Sequence, residues 1–553
     1  MLLTGAQIII ESLIEQGCDT VFGYPGGAVL NIYDELYKNS KRINHIISAH
    51  EQGAAHAADG YARVSGKVGV VIATSGPGAT NLVTGIANAY LDSVPLVAIV
   101  GNVALPLLGR DSFQEVDTLG ITMPITKHNY IVKDVCELAN IIREGFITAK
   151  SGRPGPVVID IPKDIQTNIC EFCKQPAQDK NEYRKPSEEE LDAVVSFINK
   201  CKKPFIYCGG GVLKADAGKE VKELAHLIDS PVGFSMMGLS AISSNDKYNL
   251  GMTGMHGRYA CSKANSEADL IIAVGVRFSD RATGNKNRYT KNAKIIHIDI
   301  DPAEIDKNIS AYMGIIGDVK QTLTRLLKKI QPQKHPAWQK EISKMKEEEK
   351  SFYQKDKNLH PKTVIEKVQK YTDENTVVAT DVGQHQMWTA QYYKFKKPRT
   401  FLTSGGLGTM GFGMGAAIGG CVARGKKRTV LFTGDGSFGM NLNELATAVS
   451  QELPLLIVIM NNGVLGMVRQ WQKLFYENRF SQTTLKRKTD FVLLAEAFGA
   501  DAIRVKTSQE LENALEIAFI MNTPFVIDCV IDSDENVLPM IPPGGSIDDI
   551  IVK

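Results

Sequence analysis

Net charge, long apolar runs and patterned cysteine are all scarce in this 553-residue chain. Lys and Arg number 63 against 61 Asp and Glu, so the formal net charge is only +2. That gives no basic footprint for nucleic acid and none for an anionic membrane surface. The apolar runs, such as PLLIVIM and LIIAVGV, fall far short of the ~20 residues that span a bilayer. No basic leader or small-residue cleavage site precedes MLLTGAQIIIESLIEQG, and Glu11 and Glu15 interrupt it. It reads as a domain's first helix, with Thr4 and Gln7 as a capping box and Gly17 as the stop. The nine cysteines are scattered, and Cys170-x-x-Cys173 has no second pair to complete a zinc site. Reduced thiols in a cytoplasmic enzyme are the expectation. There is no short repeat and no low-complexity tract.

What the chain has is rhythm. Short β-branched runs alternate with helical patterns: VGVVIA (68–73), LVAIVG (96–101), VVIDIP (157–162), LIIAVGV (270–276), IIHIDI (295–300), TVLFTG (429–434) and LLIVIM (455–460). Continuous apolar strands separated by helices predict parallel sheets covered on both faces, an α/β class. Two polar stretches break the rhythm, 173–190 and 331–361, the second carrying a charged surface helix. They divide the chain into three doubly wound units, 1–172, 190–330 and 360–540.

One segment carries a specific chemical signal. Gly434-Asp435-Gly436 closes one strand, and Asn461-Asn462 closes the next after residues 437–460. Ligands of parallel α/β sheets sit beyond the carboxyl ends of the strands, so Asp435 and Asn462 can meet over one edge. A carboxylate and an amide oxygen are hard ligands suited to Mg²⁺, which completes its octahedron with phosphate and water. Gly434 and Gly436 admit close backbone, and the crossover helix can aim N–H groups at a phosphate. Taken singly, each cluster also fits an ordinary turn, since Asp-Gly and Asn-Gly are common turn dipeptides.

The Gly-Asp-Gly to Asn-Asn spacing resembles the binding motif of thiamine diphosphate enzymes. That resemblance implies Mg²⁺ held by Asp435, Asn462 and the Val464 carbonyl, with Gly434, Gly436, Ser437 and Met467 around thiamine diphosphate. It also implies a carboxyl group opposite the pyrimidine ring. Glu51, in SAHEQGAAHAADGYARVSGK, matches that segment, though a glutamate at a helix start is also favoured by the dipole alone. Met410 in SGGLGTMGFGMGAAIG (404–419) corresponds to the apolar wedge between the cofactor rings, and the Gly408 carbonyl to the acceptor of its amino group. Pro25, Gly78 and Asn81 join the same cofactor set. On pattern alone, 404–419 fits equally a helix packed tightly through glycines.

Across its whole length the chain resembles the acetohydroxyacid synthase (acetolactate synthase) catalytic subunits. The resemblance rests on YPGGAVL (24–30), DSFQEVD (111–117), ITKHNYIV (125–132), SGRPGPVVIDIPKDIQ (151–166), GMHG (254–257), GVRFSDRATG (275–284), HIDIDPAEI (297–305) and NNGVLGMVRQWQ (461–472). It implies decarboxylation of pyruvate on thiamine diphosphate and condensation of the hydroxyethyl carbanion/enamine with pyruvate or 2-ketobutyrate, in branched-chain amino acid biosynthesis. The implied catalytic set is Glu51, Gly27, Phe113, Gln114, Lys127 and Trp471, with Phe113, Met467 and Trp471 as apolar walls and Trp471 favouring the larger acceptor. Lys127, Arg153, Lys163 and Arg281 correspond to basic residues around the substrate channel. FAD is implied in the middle unit by Arg153, Gly210, Gly211, His256, Gly257, Arg277, Arg281 and Asp299, although PFIYCGGGV lacks the full Gly-x-Gly-x-x-Gly form. A homodimer or homotetramer with shared sites follows from the same resemblance, as does a possible regulatory small subunit. The chain departs from the family pattern at Asn102 (usually glutamine), Arg110 (usually threonine) and Ser279 (usually aspartate). A paralogous carboligase, a pyruvate-oxidase-like enzyme and a non-catalytic cofactor-binding regulator are the competing readings.

Overall fold

The computed structural model of the protein describes residues 1–178, 183–352 and 359–552. Its frame is three six-stranded sheets, each parallel throughout. The strand-like runs of the sequence form them: Gly69–Ala73, Leu96–Asn102, Pro156–Pro162, Leu270–Val274, Lys294–Asp299, Thr429–Gly434 and Leu455–Asn461. Nearly every residue in them is buried, because helices cover both faces.

The first sheet runs Asn44–Ile47, Thr20–Gly23, Gly69–Ala73, Leu96–Asn102, Pro156–Pro162, His128–Ile131 across its width. The last runs Phe401–Leu402, Val377–Thr380, Thr429–Gly434, Leu455–Asn461, Phe525–Val530, Asp501–Val505. Counted within each unit, both orders read 2-1-3-4-6-5. The middle sheet differs: Asn249–Met252, Val232–Phe234, Pro204–Cys208, Leu270–Val274, Lys294–Asp299, Met313–Ile316, or 3-2-1-4-5-6. That is the order of dinucleotide-binding sheets, with its switch point between the Pro204–Cys208 and Leu270–Val274 strands.

The first and last units are joined through two helices, Glu51–Ser65 and Phe412–Ala423. Their backbones nearly touch: a Cβ on Gly419 would fall 1.9 Å from the Ala57 carbonyl oxygen, and one on Gly60 would fall 2.3 Å from that of Ala416. One apolar core runs from the first sheet through this pair into the last. The glycines after Gly411 therefore serve helix packing, as the pattern alone allowed.

Other details follow local chemistry. The Gly5–Glu15 helix opens with the Thr4–Gln7 capping box and ends at Gly17 in the left-handed region. The Leu2–Thr4 strand pairs antiparallel with Ile169–Glu171, closing the first unit. In the second polar stretch, the helix Pro336–Lys350 turns Trp338, Ile342 and Met345 inward, and the Trp338 indole donates to the Pro204 carbonyl at 3.0 Å. It is thus more than a charged surface helix. Parts of both polar stretches, 179–182 and 353–358, lie outside the described residues.

The cysteine expectation needs correction. Cys136 and Cys170 form a disulfide with Cα atoms 5.4 Å apart. The helix Val135–Lys150 lies against the Ile169–Glu171 strand, and this docking brings together two residues 34 apart in sequence. No spacing motif encodes it. The other seven cysteines are free thiols, five of them buried.

Candidate active site

In the last unit, the expected meeting of Asp435 and Asn462 is built by register. Gly434 pairs with Met460, which sets the two following loops side by side. The Asp435 carboxylate lies near the backbone N–H groups of Gly436 and Gly463, the latter adjoining Asn462, and these favour its charged form. Burial pushes its carboxyl up to about 6, with those N–H groups opposing. Asn461 turns away and donates to Asp528 at 2.9 Å, so Asn462 alone faces the switch point. The Asn462 amide nitrogen donates to Gln384 Oε1 at 3.2 Å, and its oxygen accepts from the Val464 N–H at 3.2 Å. An antiparallel bridge between Val464 and Thr484 fixes the backbone there. Ser437 donates to the Val382 carbonyl at 2.7 Å.

No group of three or more His, Cys, Asp or Glu that could hold a metal exists among the described residues. One carboxylate, one amide and one carbonyl do not saturate an octahedral ion, so an ion bound here needs ligand oxygens from elsewhere. A diphosphate supplies them. The turn around Asp435 is closely packed: Cβ atoms would meet the His385 ring at 2.9 Å (Gly434) and the Leu465 Cδ2 methyl at 2.8 Å (Gly436). The Met410 methyl group lies 3.8 Å from the second of these positions, which brings Met410 beside the same turn.

Two residues that sequence reasoning passed over complete this end. Asp381 follows the Val377–Thr380 strand, is fully buried, and accepts from Gly411 N–H at 2.7 Å, Gly413 N–H at 3.2 Å and Thr433 Oγ1 at 3.0 Å. It sets the Gly408–Gly411 turn, in which both glycines have positive φ (+70° and +91°). The strand-end logic applied to Asp435 would have found it. His385 is buried with Nε2 unpartnered, and burial pushes its imidazole down to about 3.

A second cluster forms at the ends of the first sheet's strands. Glu51 begins the Glu51–Ser65 helix, is buried, and accepts from Asn81 Nδ2 at 2.9 Å. A Cβ on Gly78 would lie 3.3 Å from the other carboxylate oxygen. The Glu444 carboxylate, from the last unit, accepts from the N–H groups of Ala49 and His50 (3.3 and 3.0 Å) and so holds the approach to Glu51. Pro25 and Gly27 sit nearby, with the Ala28 N–H donating to Thr74 Oγ1 at 3.2 Å. Gln114, at φ +58°, lies against Gly76 of the loop that leads to Gly78.

A cavity of about 1290 Å³ opens at the switch point of the middle sheet. Arg153, Gly210, Gly211, His256, Arg277, Arg281 and Asp299 line it, and Gly408, Met467 and Trp471 form its far wall. Arg281 stacks over Trp471, 5.3 Å from the ring centroid. Gly211 abuts Gly275, whose Cβ would lie 2.6 Å from the Gly211 Cα, so the two loops at the switch point pack backbone to backbone. The cavity exceeds an ordinary small-ligand pocket. Its cations suit a diphosphate, and Tyr207 Oη and His256 Nδ1 are buried along it without partners. Burial, with Arg281 adding to it, pushes His256 down to about 4. Burial pushes Asp299 up to about 6. These features fit a bound dinucleotide such as FAD. Gly257 lies against the Thr253 backbone instead, where a Cβ would fall 2.6 Å away.

Three expected residues stand apart from these groups. Lys127 caps the Val135–Lys150 helix, donating to the carbonyls of Thr148 (2.6 Å) and Ser151 (2.5 Å), and burial pushes its ammonium down to about 8. In the single chain its ammonium is engaged at this helix end. Lys163 is exposed at the start of Lys163–Thr167. Phe113 is 88% exposed and walls nothing in the single chain. No hydrogen bond or ion pair of the described residues joins Glu51 to Asp435 or Asn462.

Residues 3–121, 191–326 and 381–529 match the N-terminal TPP binding domain, the central domain and the C-terminal TPP binding domain of thiamine pyrophosphate enzymes. The chain is 45% identical to the acetolactate synthase of Mycobacterium leprae, over 99% of this chain and 90% of the relative. It is 44% identical to the acetolactate synthase isozyme 2 large subunit of Escherichia coli K12, over 100% of both chains. It is also 44% identical to the probable acetolactate synthase large subunit of Methanocaldococcus jannaschii, over 99% of this chain and 95% of that one.

Proposed function

The chain belongs to the acetolactate synthase large subunits among the thiamine pyrophosphate enzymes, and from that premise we propose how its own residues carry the reaction. The function is thiamine diphosphate-dependent acetolactate synthesis in branched-chain amino acid biosynthesis, with Mg²⁺ and FAD as further cofactors. The observation that carries it is the end-to-end match at 44% identity over 100% of both chains. Thiamine diphosphate, when bound, supplies a nucleophilic carbon that lets a 2-keto acid lose carbon dioxide and pass its two-carbon remainder to a second 2-keto acid.

Asp435, Asn462 and the Val464 carbonyl would hold Mg²⁺, and the N-terminus of the turn at Gly436–Ser437 would face the diphosphate. Asp381 and Met410 would shape the pocket between them. Glu51, oriented by Asn81, would face the pyrimidine ring nitrogen and hydrogen-bond to it. Met467 and Trp471 would exclude water from the reacting centre, with Trp471 sorting acceptors that differ by one methylene, a discrimination of ~1–3 kcal/mol. Arg153, Arg277 and Arg281 would face the FAD diphosphate.

Glu51 of one chain would stand beside Asp435 of a second copy, in a homodimer or homotetramer. The exposure of Phe113 (88%), Met123 (66%), Met440 (58%) and Leu407 (41%), around both half-sites, supports this. Relatives named large subunits support a small regulatory partner. No helix of the described residues is long and apolar enough to cross a membrane. We take the protein to be cytoplasmic, and its units to be 1–172, 190–330 and 360–540. The test is direct. Purified protein with Mg²⁺, thiamine diphosphate and FAD should convert pyruvate to acetolactate; carbon dioxide release without carboligation, or no turnover at all, rejects the reading.

A further inference from the structure

Away from the residues so far given roles, one buried aspartate and the peptide before it are held from all three units, the carboxylate from the first and last and the backbone carbonyls from the middle. Asp92 follows the Val83–Leu91 helix of the first unit, and its side chain is completely buried. Arg63 Nη2, also of the first unit, donates to it at 3.0 Å. The backbone N–H groups of Gly405 and Gly406, from the last unit, donate to it at 3.1 and 2.7 Å. On the other side, the carbonyl of Asp92 accepts from Lys214 Nζ of the middle unit at 2.7 Å, and the carbonyl of Leu91 accepts from Arg277.

The surrounding contacts tighten the same node. Arg63 also donates to the Thr403 carbonyl at 2.9 Å. Ser404 Oγ donates to Asn88 Oδ1 at 2.6 Å and accepts from the Thr409 N–H at 2.9 Å. There is no spare room: a Cβ on Gly405 would lie 2.3 Å from Met237 Sδ, and one on Gly406 would lie 2.9 Å from Leu91 Cβ. The segment gripped here, Thr403–Gly406, leads directly into Gly408 and Met410. Lys214, Arg277 and Met237, which grip or abut the other side, line the middle cavity. The 91–92 peptide is therefore shared between the Lys214 and Arg277 side chains of the cavity and the start of the turn beside Asp435.

We propose that Asp92 is a positioning residue that couples the dinucleotide cavity of the middle unit to the Gly405–Met410 turn of the thiamine site. An anionic ligand in the cavity shares Lys214 and Arg277 and so holds the 91–92 peptide from one side. The turn, bound to the Asp92 carboxylate, is thereby ordered from the other. A flavin in that cavity acts on the thiamine site through this node. Coupling of this kind is reciprocal: each ligand must change the other's affinity by the same factor.

This inference rests on the cofactor assignments above, and its test separates the two. Thiamine diphosphate is titrated calorimetrically into the full chain with saturating Mg²⁺, with and without saturating FAD. FAD is titrated by flavin fluorescence, with and without thiamine diphosphate. Wild type is expected to show mutual tightening of about 5-fold or more, equal in both directions. In Asp92→Asn the factor should fall toward one. Lys214→Met, which removes one of the two cavity-side grips and leaves the buried carboxylate satisfied, should lower it as well and serves if the first variant does not fold. A factor near one in wild type, or a wild-type factor in either folded variant, overturns the coupling. Failure of wild type to bind either cofactor overturns the assignments instead.

Discussion

The first and last sheets have the same strand order and even repeat one buried pair, yet they end in different chemistry. In each, an asparagine closes the fourth strand and donates to an aspartate on the sixth: Asn102 to Asp160 at 2.7 Å, and Asn461 to Asp528 at 2.9 Å. The registers agree, with Val100 opposite Asp160 and Ile459 opposite Asp528. At the switch points the likeness ends. The last sheet presents Asp435 next to the loop of Asn462, the pair proposed above for a cation; the first presents Glu51 at a helix start, held by one amide. A shared scaffold supplies the place, and a few strand-end residues decide what the place can do.

If that division holds, equivalent losses at the two ends should fail in opposite ways. Asp435→Asn should abolish Mg²⁺-dependent binding of thiamine diphosphate in calorimetry, and turnover with it. Glu51→Gln should keep binding within about tenfold, some 1.4 kcal/mol, while kcat falls by about 10²–10⁴-fold, the usual worth of a positioned proton-transfer group. Like defects in both variants would erase the functional contrast between the ends.

The two sheets also lean on each other through the Glu51–Ser65 and Phe412–Ala423 helices. Gly419→Ala puts a methyl group 1.9 Å from the Ala57 carbonyl oxygen, so a backbone must move. A loss of about 1–3 kcal/mol is expected, read as a lower urea midpoint. If the units are one cooperative body through this contact, fluorescence and circular dichroism should still report one shared transition.

How much of this was legible depended on whether a feature is local in sequence. The strands announced themselves through β-branched runs, and the Asp435 and Asn462 clusters stood out because each closes such a run. The Thr4–Gln7 cap and the Gly17 stop were equally local. Asp92 was invisible: its carboxylate partners Gly405 and Gly406 lie 313 and 314 residues away, and a single aspartate after a helix carries no pattern. Cys136 and Cys170 met through helix docking that no spacing foretells. Lys127 matched its family position, yet the local need of a helix end for a cation claimed its ammonium. Strand order was also beyond reach, although it separates the dinucleotide-type middle sheet from its two neighbours.

The repeated asparagine–aspartate pair allows the finest test, because its two copies differ in one partner. Asp528 also accepts from Arg504 Nε at 2.8 Å. Among the described residues Asp160 has no such cation; its Oδ1 is buried without a partner, and burial pushes its carboxyl up to about 7. The native state therefore keeps a proton on Asp160 that the unfolded chain has already released at an ordinary carboxylate pKa of about 3.9. Between about pH 4 and 7 the folded protein binds more protons than the unfolded one, so stability from this residue falls as pH rises, by up to about 1.4 kcal/mol per unit, and levels off above 7. Asp160→Asn should flatten that slope and leave the protein as stable or more stable at pH 7, since an amide in place of the carboxyl needs no ionisation. Asp528→Asn should instead cost about 1.5–3 kcal/mol at pH 7 by stripping Arg504 of a charged partner. Opposite signs from the same substitution, in urea titrations at pH 5 and 7, would mean that one missing arginine sets the two sheets apart at this position; equal signs would mean that the pair behaves alike in both.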